Sequence, residues 1–279
     1  MVHILYNPLS NGGHGCEGLD KVIGAFQDVA PAVQDITTLD TRSFLEALPP
    51  EDMVVLCGGD GTINHLVNDT VDARISVPIY IWKFGTGNDF WRDIPVKCEK
   101  QMVRLSDYTK HLPYAEVNGK RIYFVNNCSF GMDGLVCEMG DAEKVRTGRR
   151  VSYAKLAIRA ILKDYRRTTA TVTVDGESRT YEKVWMATTM NGRYVGGGMK
   201  LAPGQDRNSD MVCCIVWHGT PRLATIPLFL SVFWGGHVKL KAMFDIHFGR
   251  DIRVEFNLPT ALQLDGEVIS GVTGYSAHK

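Results

Sequence analysis

Apolar and polar positions alternate in two different rhythms along this chain. In the first hundred residues, short apolar runs at Val2–Tyr6, Gln34–Thr37, Met53–Cys57 and Ile79–Lys83 read as strands. Met53–Cys57 (MVVLC) contains no charged or amide position, as expected of a strand covered on both faces. Helical spacing fills the intervals near Gly18–Val29, over Arg42–Ala47 and from Ile63 onward, with Thr62 in N-cap position. This βαβα order predicts a parallel sheet with helices on both faces.

From about Tyr114 the period changes to two. The stretch YAEVNGKRIYFVNNCSF holds two alternating runs joined by Asn118-Gly119, a strong hairpin signal. Further runs at Thr168–Val174, Val184–Met190, Met211–Trp217, Ile252–Phe256 and Leu262–Leu264, with a turn at Asp175-Gly176, predict a largely antiparallel second half. The expected domains are 1–112 and 113–279. One helix is predicted inside Arg146–Arg167, where Tyr153, Leu156, Ala160 and Ile161 form an apolar stripe and Lys155, Arg159 and Lys163 a basic one. That basic stripe is either a solvated face or a membrane-surface face. Leu223–Gly236 is too short to span a bilayer and is interrupted by Pro227, so it reads as a buried or interfacial helix. The five tryptophans, Trp82, Trp91, Trp185, Trp217 and Trp234, read as core anchors.

Composition removes several classes of function. The 279 residues carry 31 Lys or Arg against 31 Asp or Glu, so net charge gives no reason to expect nucleic acid as a partner. Seven cysteines without a C-x-x-C pair argue for a reducing compartment, and the opening MVHILYNP lacks the features of a signal peptide. The expected location is the cytoplasm. The eight histidines show no zinc-ligand spacing.

The chemistry concentrates in LCGGDGTINHLVND, Leu56–Asp69. Strand, glycine turn and helix start together aim backbone N–H groups at an anion, most often a phosphate. Asp60 would repel a bare phosphate, and a bound Mg²⁺ removes that conflict. Glycines in a simple tight turn are the alternative reading. YNPLSNGGHG after the first strand and KFGTGNDFWRD after the fourth place two further polar, glycine-bearing loops at the same sheet edge. Near the C-terminus, LQLDGE sets Asp265 and Glu267 around one glycine, a pair suited to metal binding or to accepting a hydroxyl proton.

NPLSNGG, GGDGTINHLVND, GTGNDFWR and LDGE, in this order over nearly the whole chain, resemble the diacylglycerol kinase catalytic-domain family of lipid kinases. The resemblance implies an α/β N-terminal domain with an NAD kinase/phosphofructokinase-like parallel sheet. It also implies an antiparallel β-sandwich C-terminal domain, with the active site in the interdomain cleft. ATP and Mg²⁺ are the implied cofactors, and a lipid hydroxyl, as in diacylglycerol, the implied acceptor. By motif match, Asn7, Pro8, Leu9, Ser10 and Asn11 bind ATP together with Gly59, Gly61, Thr62, Ile63, Asn64, His65 and Thr86. Asp60 positions Mg²⁺, Glu267 accepts the hydroxyl proton, and Asp265 is a metal or transition-state partner. Asp89 and Asp133 are assigned to the acceptor, with a simple turn residue as the alternative reading of Asp133. Many bacterial relatives hold a structural Mg²⁺ with an Asp-Gly pair, where this chain has Ser209-Asp210; Asp206 and Asp210 remain as candidate metal ligands. The implied setting is peripheral contact with a membrane from the cytoplasmic side. An NAD kinase-like small-molecule kinase and a non-catalytic nucleotide or lipid sensor are the alternatives. Retention of Asp60, Asp265 and Glu267 argues against the sensor.

Overall fold

The structure is a computed structural model describing residues 1–84, 87–94, 102–148 and 151–279, without the side chains of residues 11 and 12. Two compact units divide between Lys110 and His111.

Among the described residues the first unit is built on five strands, β1 (Val2–Tyr6), β2 (Ala32–Asp35), β3 (Met53–Gly58), β4 (Ile79–Lys83) and β5 (Met102–Arg104), in the spatial order β2-β1-β3-β4-β5. The first four run parallel, and β5 closes one edge antiparallel to β4. Val54, Val55, Leu56 and Cys57 of β3 are fully buried, which is why that strand has no polar position. The helices are α1 (Ser10–Gly13), α2 (Leu19–Gly24), α3 (Thr41–Ala47), α4 (Asp60–Thr70), α5 (Asp89–Asp93) and α6 (Ser106–Thr109). The fourth starts earlier than its apolar periodicity suggests: Gly59 is its N-cap, and Thr62 lies inside the first turn.

The second unit holds ten strands paired antiparallel throughout: β6 (Tyr114–Val117), β7 (Lys120–Tyr123), β8 (Asn127–Gly131), β9 (Thr168–Val174), β10 (Glu177–Val184), β11 (Met186–Met190), β12 (Val212–Trp217), β13 (Phe244–Gly249), β14 (Asp251–Leu264) and β15 (Glu267–His278). Their path is β13-β12-β11-β8-β14-β15-β6-β7, with β9 added on β14 and β10 on β9. The hairpin at Asn118-Gly119 forms with both residues at positive φ, 51° and 74°, as a two-residue primed turn requires. The runs read at Ile252–Phe256 and Leu262–Leu264 belong to one strand, β14, whose pairing with β15 slips between Glu255 and Leu262.

Period two also explains why β12 is apolar at every position. Val212, Cys214 and Val216 enter one core with Phe130, Val254 and Tyr275, while Cys213, Ile215 and Trp217 enter a second with Leu156, Ile161 and Trp185. That second core lies under the helices α7 (Met132–Thr147), α8 (Tyr153–Arg159) and α9 (Arg222–Ser231). A π turn over Ala160–Asp164 follows α8 and changes the register of the basic stripe, and Arg159 pairs with Asp164 at 2.8 Å. The sequence reading missed α7 because it carries two glycines. Both are contact glycines, since a Cβ at Gly134 would lie 2.1 Å from the Ala261 carbonyl oxygen and one at Gly140 2.6 Å from the Tyr153 ring. Trp185 and Trp217 are core anchors as expected, but Trp234 is 67% exposed.

One buried histidine gives this unit a pH dependence. His237 is fully buried, its Nε2 lies 2.8 Å from the Leu201 carbonyl oxygen and so donates, and its Nδ1 has no partner among the described residues. Burial pushes its pKa below the ordinary 6.5. The unfolded chain therefore binds a proton near 6.5 that the folded ring takes up only at lower pH. Its contribution to stability is complete above that value and is lost as the pH falls below it. Melting curves between pH 7.5 and 5 are expected to show a falling Tm, with a shallower fall for His237→Gln (~1.4 kcal/mol per unit of pKa difference). An identical slope for the variant would move the effect to another group.

Candidate active site

Three loops leave the carboxyl ends of the parallel strands β1, β3 and β4, and two residues in the first turn of α4 tie them together. Thr62 Oγ1 accepts from Asn7 Nδ2 at 3.0 Å and shares a hydrogen bond with Ser10 Oγ at 3.2 Å, fixing the first loop. Asn7 Oδ1 in turn accepts from the Leu9 N–H at 2.9 Å. The Asp60 carboxylate accepts from the N–H groups of Asp89 at 3.0 Å and Phe90 at 2.9 Å, fixing the third loop at the start of α5. Packing makes one of the glycines obligatory and leaves a second tight. A Cβ at Gly58 would lie 2.4 Å from the Thr62 Cβ, and one at Gly87 would lie 3.3 Å from the Asp60 carboxylate. Thr62, expected as an N-cap, is instead the tie to the first loop.

Among the described residues, nothing lies within 4 Å of a Cβ placed at Gly59 or Gly61, and no side chain caps the N-terminus of α4. Backbone dipoles there are available to an anion approaching over the glycines. Of the residues matched to ATP binding, Ile63 is buried in the core, Asn64 is buried and accepts from Asn68 Nδ2 at 3.2 Å, and His65 and Leu9 face solvent. Pro8 and Ser10 are half-buried in the first loop. The Asn11 side chain and Thr86 lie outside the described residues. Asp89, assigned to the acceptor, is buried in the first turn of α5.

In the second unit LDGE forms the turn between β14 and β15, with Asp265 and Gly266 at φ 47° and 100°. Asp265, expected as a metal or transition-state partner, has both carboxylate oxygens engaged by backbone. It accepts from the N–H groups of Val125, Asn126 (2.8 Å) and Asn127 (2.9 Å), while its own N–H donates to the Asn127 carbonyl at 3.0 Å. Its role here is to fix the turn on the start of β8. Glu267 follows as the first residue of β15, exposed and paired in register with Leu264.

Two residues that the sequence reading passed over complete this arrangement. Gln263 Oε1 accepts from the Gly266 N–H at 2.8 Å, and its Nε2 donates to Asp133 Oδ2 at 2.7 Å, joining α7 to the turn. The Asp133 carboxyl is desolvated, which raises its pKa against the opposing hydrogen bonds from Gln263 and Ser129. Arg207, a buried cation, donates to the Val125 carbonyl and to Asn126 Oδ1, both at 2.9 Å, and braces the segment that holds Asp265. Alternation along LQLDGE puts Gln263 on the face opposite the core leucines, a signal for it; Arg207 had none.

The remaining candidates lie elsewhere. Asp210 is exposed and paired with Arg250, which holds its carboxyl below the usual range. Asp206 is exposed and accepts from the Asn208 N–H at 3.0 Å. Among the described residues no three His, Cys, Asp or Glu side chains are grouped to hold a metal ion by themselves.

Comparison with known proteins places these features. Residues 126–276 match the family described as the YegS C-terminal NAD kinase beta sandwich-like domain, and residues 1–113 match the diacylglycerol kinase catalytic domain. The fold and loops thus define a kinase built from a parallel-sheet unit and an NAD kinase-like sandwich. The chain belongs to the diacylglycerol kinase catalytic-domain family, a family of lipid kinases. A diacylglycerol kinase of Mycobacterium tuberculosis is 26% identical over 251 residues, covering 86% of this chain and 80% of its own. One of Bacillus subtilis is 25% identical over 275 residues, covering 95% and 88%. In fold, the chain is similar to a crystal structure of a diacylglycerol kinase from Bacillus anthracis, with TM-score 0.69 at 20% identity over 99% of this chain and 93% of that one.

Proposed function

We propose that this protein transfers the γ-phosphoryl group of ATP to a hydroxyl of diacylglycerol or a related lipid, with Mg²⁺. The observation that carries the reading is the joining of three loops by Asp60 and Thr62 around the open glycine backbone at the start of α4. Such a cradle suits phosphate oxygens, and the names of the relatives supply the lipid. Mg²⁺ fits the donor set as a shared ion, because this cation is commonly held by one or two carboxylates together with substrate phosphates rather than by an all-protein cage. When bound, it would neutralise charge on the phosphate oxygens.

The chain's own contributions are positioning and proton removal. Asn7, Ser10 and Thr62 hold the first loop, Asp60 holds the third, and the glycines admit the phosphates. On this reading Glu267 takes the proton from the lipid hydroxyl, and Asp265 and Gln263 keep its turn rigid. Asp133, behind Gln263, is the candidate contact for the acceptor headgroup. The direct test is a panel of lipids in mixed micelles with labelled ATP and Mg²⁺. A labelled lipid supports the reading; labelled NAD with no labelled lipid overturns it.

Asp60→Asn separates the two tasks of that carboxylate. Turnover is expected to fall at least about tenfold, equivalent to ~1.4 kcal/mol in the barrier. If Asp60 serves the metal, the Mg²⁺ concentration for half-maximal rate rises as well. An unchanged Mg²⁺ requirement with a lowered Tm would leave it only the α5 cap.

A further inference from the structure

The helix α9 is apolar almost all round. From Leu223 to the end of the 3₁₀ turn Val232–Trp234 that continues α9, the only polar side chains are Thr225 and Ser231, and both hydroxyls donate to backbone carbonyls, those of Pro221 and Leu228. One side packs into the core through Ile226, Leu228, Phe229 and Val232. Leu223, Pro227, Leu230 and Trp234 follow at i, i+4, i+7 and i+11, and all four are exposed, Leu223 by 84% and Trp234 by 67%. An all-round apolar helix is ordinarily buried on every side. This one is left half open.

Its neighbour has the same character. Arg222, at the head of α9, donates from Nη1 to the Ile161 carbonyl and from Nη2 to that of Tyr165, both at 2.6 Å, so the π turn after α8 lies against α9. Ile158 and Leu162 are exposed there beside Lys155 and Lys163. Residues 151–167 and 221–241 together carry eight Lys or Arg against one carboxylate, Asp164, in a chain whose formal net charge is +0. Lys155, Lys163 and Lys239 are exposed cations of these two segments.

We infer that the outer face of α9, with the exposed end of α8 beside it, docks on an anionic lipid bilayer. Leucines and a tryptophan suit the acyl boundary, and lysines suit the acidic headgroups. A second copy of the chain would have to cover the same cations with like charge, which disfavours self-association through this face. The inference rests on the reading of an acceptor held in a membrane, and it assigns to this chain the surface that reaches it.

The test uses vesicles of phosphatidylcholine and phosphatidylserine, which offer no free hydroxyl, without ATP, so its result does not depend on any phosphorylation. The protein is expected to co-sediment with these vesicles and much less with phosphatidylcholine alone. Combining Leu223→Ser, Leu230→Ser and Trp234→Ser should weaken binding about tenfold or more with little change in Tm, because all three side chains point outward. Lys155→Glu, Lys163→Glu and Lys239→Glu together should weaken it similarly and remove its sensitivity to salt. Parent protein that ignores anionic vesicles, or variants that bind as the parent does, would overturn the inference. So would a dimer in light scattering that the serine substitutions dissociate.

Discussion

Glu267→Gln is expected to lower lipid phosphorylation by about 10²-fold or more while ATP still binds with the parent's affinity. The substitution keeps side-chain length and shape, and the turn before it is held by groups that do not involve residue 267. Asp265 is fixed by three backbone N–H groups, and the Gly266 N–H by Gln263. What disappears is the carboxylate that can take up a proton. A lipid hydroxyl is a poor nucleophile near neutral pH, so the loss falls on the chemical step and appears in kcat. Steady-state kinetics with saturating lipid, together with calorimetric titration of ATP, separates the outcomes. Equal loss of ATP affinity and turnover would move Glu267 to the nucleotide.

Asp265→Ala should be the most destabilising single change in the candidate site. Val125, Asn126 and Asn127 are buried, and each loses the acceptor of its N–H group. A buried donor left without a partner costs ~1–3 kcal/mol. With partial relief by water, a total of about 3 kcal/mol is expected, or a fall of roughly 6–12 °C in Tm at ~2–4 °C per kcal/mol for a chain of this size. Activity should fall even well below the new Tm, because the turn that carries Glu267 has lost its anchor. Asp265→Asn should lie between the two, since its single oxygen can still accept from Asn126 and Asn127 while its amide meets the Val125 N–H. An Asp265→Ala protein that melts with the parent would show the three donors to be satisfied some other way.

Glycine loops were legible in the sequence because they follow apolar runs whose parallel order fixes the edge they share. What Asp60 and Thr62 do at that edge was not legible. Their residue types suggest a ligand contact or a cap, whereas their bonds run to residues 29 and 30 positions later and 52 and 55 positions earlier, distances at which a local pattern is silent. α7 was hidden for a related reason. Gly134 and Gly140 lower helix propensity, and the contacts that require them, Ala261 and Tyr153, lie in other elements. Exposure of Trp234 was equally invisible, because an apolar residue carries no mark of whether the protein or something else is to cover it.

The corner at the start of α4 also limits how these loops can be exchanged. Thr62 sits against Gly58 so closely that a Cβ there would collide, and through Asn7 and Ser10 it holds a loop more than fifty residues earlier. Two positions away, Asp60 holds the loop after β4. A loop transplanted alone from a relative would arrive without its anchor and leave another anchor unmatched. The three segments therefore behave as one heritable cassette, and a chimaera that aims to change nucleotide preference has to move residues 7–10, 58–62 and 87–90 together.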